Sequence, residues 1–188
     1  MIEAELKALV RDPARLRAAL GERAAAEPAT YADTYYDTPD RTLTGSGREL
    51  RVRVVDQGGS RTCLLTYKEA AVPGTTSKPE HETAVGDPAV FATVFAGLGL
   101  GVLVGLTKHC TNYRFQHAGR LMLATVVTVP ELAGTFVEIE TQVPTTAEVP
   151  AALDTIRSLL AELGITEADL DTRDYTELVQ QARAAGAH

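Results

Sequence analysis

Met1-Ile-Glu-Ala-Glu-Leu-Lys-Ala-Leu-Val10 opens the chain, and how it is read decides the fold. Side chains alternate across a strand, so as a strand it puts Glu3, Glu5 and Lys7 on one face and Ile2, Ala4, Leu6 and Ala8 on the other. The apolar face can pack on a core. The opposite face carries two carboxylates and an ammonium in a row, and carboxylates that close repel unless a cation separates them. A divalent metal ion would do so. The same alternation also describes an ordinary strand with its charges in water, where strand charges usually lie. Repetition of the pattern on other strands tips the balance.

The pattern does recur. Leu50-Arg51-Val52-Arg53-Val54 places two arginines on a shared face, and Gln57-Gly58-Gly59-Ser60 turns the chain back into a strand from Arg61 that ends in Leu65-Thr66-Tyr67-Lys68. In Lys78-Pro79-Glu80-His81-Glu82-Thr83, Lys78, Glu80 and Glu82 point one way. Phe136-Val137-Glu138-Ile139-Glu140 pairs Glu138 with Glu140. Further strands are predicted over 33–37, 102–108, 111–116 and 120–129, with loops at 27–32, 40–47 and 72–76. Asp12-Pro13 and Asp87-Pro88 read as helix starts, a capping Asp followed by Pro at the first helical position. The first helix is expected to run to about residue 25. The second has Val90, Phe91, Val94, Phe95 and Leu98 at helical spacing, a core stripe rather than a cofactor pocket. Helices over 146–163 and 167–184 close the chain, the last holding Tyr175.

About eight strands in mostly sequential hairpins, with helices outside, predict an α+β fold: a closed or nearly closed antiparallel β-barrel flanked by helices. With the barrel's outside covered by helices, the charged faces turn inward and line a polar bore. Carboxylates there suit a hard divalent cation, and Arg and Lys suit polyanion oxygens. Acid and base together point to a metal-bound polyphosphate.

The 188 residues fit one domain, 1–188, large enough to bury a core without staples. The formal charge of -7 argues against a general partner among nucleic acids or anionic membranes. Cys63 and Cys110 are too few for a disulfide scaffold or a four-ligand zinc site. The N-terminus lacks the pattern of a signal peptide, so the cytoplasm is the expected location. A homodimer is the default assembly.

The order of Glu3-Ala4-Glu5-Leu6-Lys7, Asp33-Thr34-Tyr35-Tyr36-Asp37-Thr38-Pro39, the Arg51/Arg53 strand, Leu65-Thr66-Tyr67-Lys68, Lys78-Pro79-Glu80-His81-Glu82 and Gly134-Thr135-Phe136-Val137-Glu138-Ile139-Glu140 resembles the CYTH domain, the triphosphate tunnel metalloenzyme family. That family includes class IV adenylate cyclases, thiamine triphosphatases and inorganic triphosphatases. The resemblance implies an eight-stranded tunnel that binds a small-molecule triphosphate or other phosphorylated substrate. Lys7, Arg51, Arg53 and Lys68 would clamp the phosphates, with Lys78, Lys108 and Arg114 as further ligands. Glu3, Glu5, Glu138 and Glu140 would hold Mg²⁺ or Mn²⁺, and Glu80 and Glu82 would belong to the tunnel wall. Glu5, Lys7 and Lys68 would act in catalysis, and Tyr175 either closes the tunnel or simply packs.

Two departures stand out. Cys110 occupies the place of an arginine two residues after Lys108, with Arg114 as the nearest substitute, and the stretch around Val127 lacks an expected aspartate. Hydrolysis of inorganic, thiamine or nucleoside triphosphate is the leading expectation. Cyclisation of ATP to cyclic AMP and pyrophosphate, and a non-catalytic or repurposed binder of a phosphorylated metabolite, are the alternatives.

Overall fold

Period-two strands whose apolar faces need cover are arranged here with helices outside and charge inside. The structure, a computed structural model, describes residues 1–186. The last two positions of the expected 1–188 domain lie outside the described residues. The elements run β1 (Ile2–Val10), α1 (Pro13–Gly21), β2 (Glu27–Asp37), α2 (Thr42–Gly45), β3 (Glu49–Gln57), β4 (Ser60–Lys68), β5 (Lys78–Val85), α3 (Pro88–Gly97), β6 (Gly101–His117), β7 (Arg120–Thr128), β8 (Thr135–Val143), α4 (Val149–Glu162) and α5 (Tyr175–Gly186). The strands form a closed barrel in the order β1-β5-β4-β3-β2-β6-β7-β8, every pairing antiparallel. β2 to β5 form one meander and β6 to β8 another. β1 shuts the cylinder between β5 and β8.

The helix starts are as read. The Asp12 carboxylate accepts from the Arg15 backbone N–H at 3.0 Å, and Asp87 caps α3 in the same way through Ala89 at 2.8 Å. At the β3–β4 hairpin both Gly58 and Gly59 have positive φ, which side chains disfavour. Asp37 accepts from the backbone N–H groups of Thr38, Leu43 and Thr44 and so fixes the start of α2. The Asp37-Thr38-Pro39 motif therefore does structural work.

Several local expectations are corrected: the final helix begins at Tyr175 rather than at residue 167, and the expected loop 40–47 contains the short α2. Residues 27–32 are strand rather than loop, because β2 is laddered on both sides, by β3 and by β6. The stretches 102–108 and 111–116 are one strand: β6 pairs with β2 over its first part and with β7 over its last. The first helix stops at Gly21 rather than near residue 25.

The main core lies outside the barrel wall. Ala4, Leu6 and Ala8 of β1, Val126 of β7 and Val137 and Ile139 of β8 meet Leu16 and Leu20 of α1 and Ile156, Leu159 and Leu160 of α4. Each large aliphatic side chain buried there contributes about 1.5–3 kcal/mol. The α3 stripe is only half used: Phe91 and Phe95 pack on Tyr36, Val52 and Val54, whereas Val90, Val94 and Leu98 are exposed. With the outer faces of β1, β7 and β8 committed to helices, the alternate side chains must enter the bore.

Candidate active site

The register brings the expected residues to one place. Glu5 stands opposite Glu140 and Lys7 opposite Glu138 on the β1–β8 ladder, and Lys68 lies opposite Glu49 on one side and Glu80 on the other. A cavity of about 840 Å³ fills the bore, and Glu3, Glu5, Lys7, Arg51, Arg53, Lys68, Lys78, Glu80, Glu82, Lys108, Arg114, Glu138 and Glu140 all line it. Every residue assigned to the site from sequence therefore faces the same space.

Three carboxylates converge. Oxygens of Glu3, Glu5 and Glu140 all lie within 4.8 Å of one another. Burial, then the charges of Glu138 and Glu3, push the Glu5 carboxyl up to about 8. Burial, then the charges of Glu3 and Glu5, raise Glu140 well above the carboxylate range. Glu3 goes the other way: burial would raise it, but the Lys68 ammonium paired with it holds it well below. Lys68 also contacts Glu80 at 2.8 Å. The fourth expected metal ligand, Glu138, is not part of this group: its carboxylate accepts from Lys108 at 2.9 Å, although its charge still acts on Glu5. Clustered oxygen donors whose mutual repulsion favours protons are the donor set a hard divalent cation relieves. The residues fit such an ion.

The cationic side is built differently. Arg53 donates two parallel 2.7 Å bonds to the buried Asp33, which also lies 4.0 Å from Arg51. Burial alone would raise Asp33, but Arg53 and then Arg51 hold its carboxyl well below the usual range. Arg51 donates to Thr66 at 3.2 Å and lies 3.7 Å from Glu82, while its buried Nε finds no partner among the described residues. Lys78 pairs with Glu49, and residues 170–176 line the same cavity.

Tyr175, at the start of α5, sits between two ammoniums, with Lys7 at 4.3 Å and Lys108 at 4.0 Å from its ring centre. Lys7 also donates to the Arg173 backbone carbonyl. The tyrosine both packs, edge-on to Phe136, and contacts the bore's cations.

The two departures have a physical result. Cys110 lies opposite Val127 in the ladder and is buried with Val127, Phe136 and Tyr175. Burial pushes its thiol up to about 12, so it contributes no charge. Thr125, not an acid, stands across from Glu138. An apolar plug replaces charge at this end. Arg114 does not fill the gap: it reaches Glu27 at 2.6 Å at the rim and is half in solvent.

Sequence reading missed Asp33 and Glu49 as bore residues. Asp33 alternates with Tyr31 and Tyr35 on a strand whose partners were unknown, and its pairing with Arg53 emerges only from the β2–β3 register.

The CYTH domain model matches residues 1–175. Adenylate cyclase CyaB of Aeromonas hydrophila is 25% identical over 167 residues, covering 88% of this chain and 80% of that protein. The structure of the PH1819 protein from Pyrococcus horikoshii OT3 superposes with a TM-score of 0.81 at 25% identity, covering 95% of this chain and 98% of the other. A candidate adenylyl cyclase from Hippeastrum, described as having a dominant triphosphatase activity, gives a TM-score of 0.66 at 18% identity and covers 96% of each chain. The closed barrel, its inward acidic and basic faces and the match over almost the whole length agree: the chain belongs to the CYTH domain family.

Proposed function

We propose that the chain hydrolyses a triphosphate inside the bore with the help of Mg²⁺ or Mn²⁺. One observation carries this reading: the Glu3, Glu5 and Glu140 cluster shares one cavity with Lys7, Arg51, Arg53 and Lys68. Glu3, Glu5 and Glu140 would hold the cation, with Glu138 beside them. Bound there, the ion would supply Lewis acidity and neutralise phosphate charge.

The chain's own groups do the rest. Arg53 is locked by Asp33 and presents its remaining donors in a fixed orientation. Arg51, with an unpartnered Nε, gains a hydrogen bond when a phosphate oxygen arrives. Lys7 and Lys68 stabilise charge that collects on the departing phosphate oxygens. The plug of Cys110, Val127, Phe136 and Tyr175 keeps water out of that end.

The relative from Aeromonas favours a second reading, cyclisation of a nucleoside triphosphate with loss of pyrophosphate. Incubating the purified chain with tripolyphosphate, thiamine triphosphate or ATP, with and without Mg²⁺ or Mn²⁺, separates the two. Cation-dependent release of orthophosphate supports hydrolysis. Pyrophosphate with cyclic AMP supports cyclisation, and binding with neither product leaves a non-catalytic binder.

A further inference from the structure

α3 is apolar on every side but covered on only one. Its inner face is settled: Phe95 meets the Tyr36 ring edge-on at 4.9 Å, and Phe91 and Phe95 pack over Val52 and Val54 of β3. The opposite face is bare. Val90, Val94 and Leu98, four residues apart and so one above another along the helix, are 55%, 48% and 70% exposed. The flanking Thr93 turns its hydroxyl back on its own helix, donating to the Ala89 carbonyl at 3.1 Å, and the exposed Ala89, Ala96 and Gly97 add no polar side chain. From Pro88 to Thr107 the sequence has no ionisable side chain. Val102, opposite Tyr36 in the β2–β6 ladder, is exposed as well. A helix that is apolar all round is one built to be buried on more than one face.

Charge distinguishes the kinds of cover. Helices that lie on a lipid surface carry Lys or Arg along a polar face, and α3 has neither; the charge that precedes it is Asp87. A different protein is selected through charges and hydrogen bonds at complementary positions, and this face presents none. A second copy of the chain needs neither. Two molecules of formal charge -7 repel, and a charge-free face is where they meet without setting like charges against each other. The spacing suits self-pairing too, because residues four apart form the ridge by which two helices interlock at about −50°. We propose that α3 is a homodimer contact, two copies crossing at Val94 on a two-fold axis with Val90 and Leu98 to either side. A helix of 10 residues offers a face about 15 Å long and about 10 Å wide, well short of the ~800 Å² per partner of a stable interface. The dimer is therefore weak and forms only as concentration rises. None of the three side chains lines the bore, so the contact stands or falls apart from the chemistry there.

Sedimentation velocity on the full chain tests this. From about 1 µM to about 500 µM the wild type should pass from monomer to dimer, with a Kd on the order of 10–100 µM. Val94→Glu and Val94→Lys should each weaken self-association at least about tenfold, because like charges then meet at the axis. An equimolar mixture of the two should recover it, because opposite charges meet there. Both positions face solvent in the monomer, so thermal melting should show each variant folded; if a Val94 variant is not, Leu98→Glu, which should weaken the dimer to a similar degree, decides. A wild type that stays monomeric at the highest concentration overturns the proposal. So does a dimer that neither Val94 variant weakens, or a mixture no better associated than either variant alone. Pelleting of monomer with phosphatidylcholine vesicles, lost in Leu98→Glu, would give the face to a lipid surface and equally overturn it.

Discussion

The two walls of the bore solve opposite problems. β8, β1 and β5, neighbours in the barrel, carry Glu138, Glu140, Glu3, Glu5, Glu80 and Glu82 against only Lys7 and Lys78; β4, β3 and β6 carry Lys68, Arg51, Arg53 and Lys108, with Asp33 on β2 among them. On the basic wall, charge is balanced inside the protein, Asp33 gripping Arg53 and Glu138 gripping Lys108. On the acidic wall Lys68 steadies Glu3, but Glu5 and Glu140 are left facing each other and shift toward the protonated form. One wall is ready before a ligand arrives. The other is completed by a cation.

The comparison breaks first at Asp33. Asp33→Asn leaves Arg53 buried without its counter-charge and should cost about 3–5 kcal/mol in urea unfolding; a cost below about 1 kcal/mol would show that the basic wall does not need its internal acid. Next comes Glu140→Gln. It should lose on the order of a hundredfold in cation-dependent turnover, yet raise the melting temperature measured without cation, because it removes like-charge repulsion. A variant that melts lower and keeps its activity would put the repulsion and the cation site elsewhere. Arg51→Ala should raise KM about tenfold or more by removing charge-assisted bonds, with kcat less affected. An unchanged KM would take Arg51 out of the clamp.

The smallest effect is a pH dependence. Glu5 ionises near its ordinary 4.5 when unfolded but only near about 8 in the folded chain. Between those values the folded state holds the extra proton, so stability without cation falls as pH rises from about 5 to about 8. Glu3 and Glu138, whose carboxyls are lowered, lose their contribution only as pH falls below the ordinary carboxylate range. Added Mg²⁺ or Mn²⁺ should therefore raise the melting temperature more at pH 8 than at pH 5. An equal rise at both would mean that Glu5 is not displaced from its proton by the ion.

Alternation made much of this legible. Glu3, Glu5 and Lys7 had to share a face, as did Arg51 with Arg53, and helix starts at Asp12 and Asp87 told of cover for the outside. Pairing partners were hidden. That Asp33 meets Arg53, or that Glu138 prefers Lys108 to the carboxylate cluster, depends on cross-strand register, which no single strand carries. The strand at 27–32 was obscured by Pro28 and by its polar residues, and the continuity of β6 by the absence of an unbroken alternation across His109 and Cys110. The α3 stripe misled in the other direction, because periodicity reports an apolar face without saying whether anything lies against all of it.

The position of β1 bears on how the molecule comes into being. Of the eight strands β1 is made before the others, and it must wait for β8, the last of them, before its long ladder can form. Until then the two meanders can zip locally while the cylinder stays open, and the final closure is a slow, long-range step. Glu5 and Glu140 meet only at that step, so a nascent chain is spared their mutual repulsion until the surrounding ladders are there to hold them together.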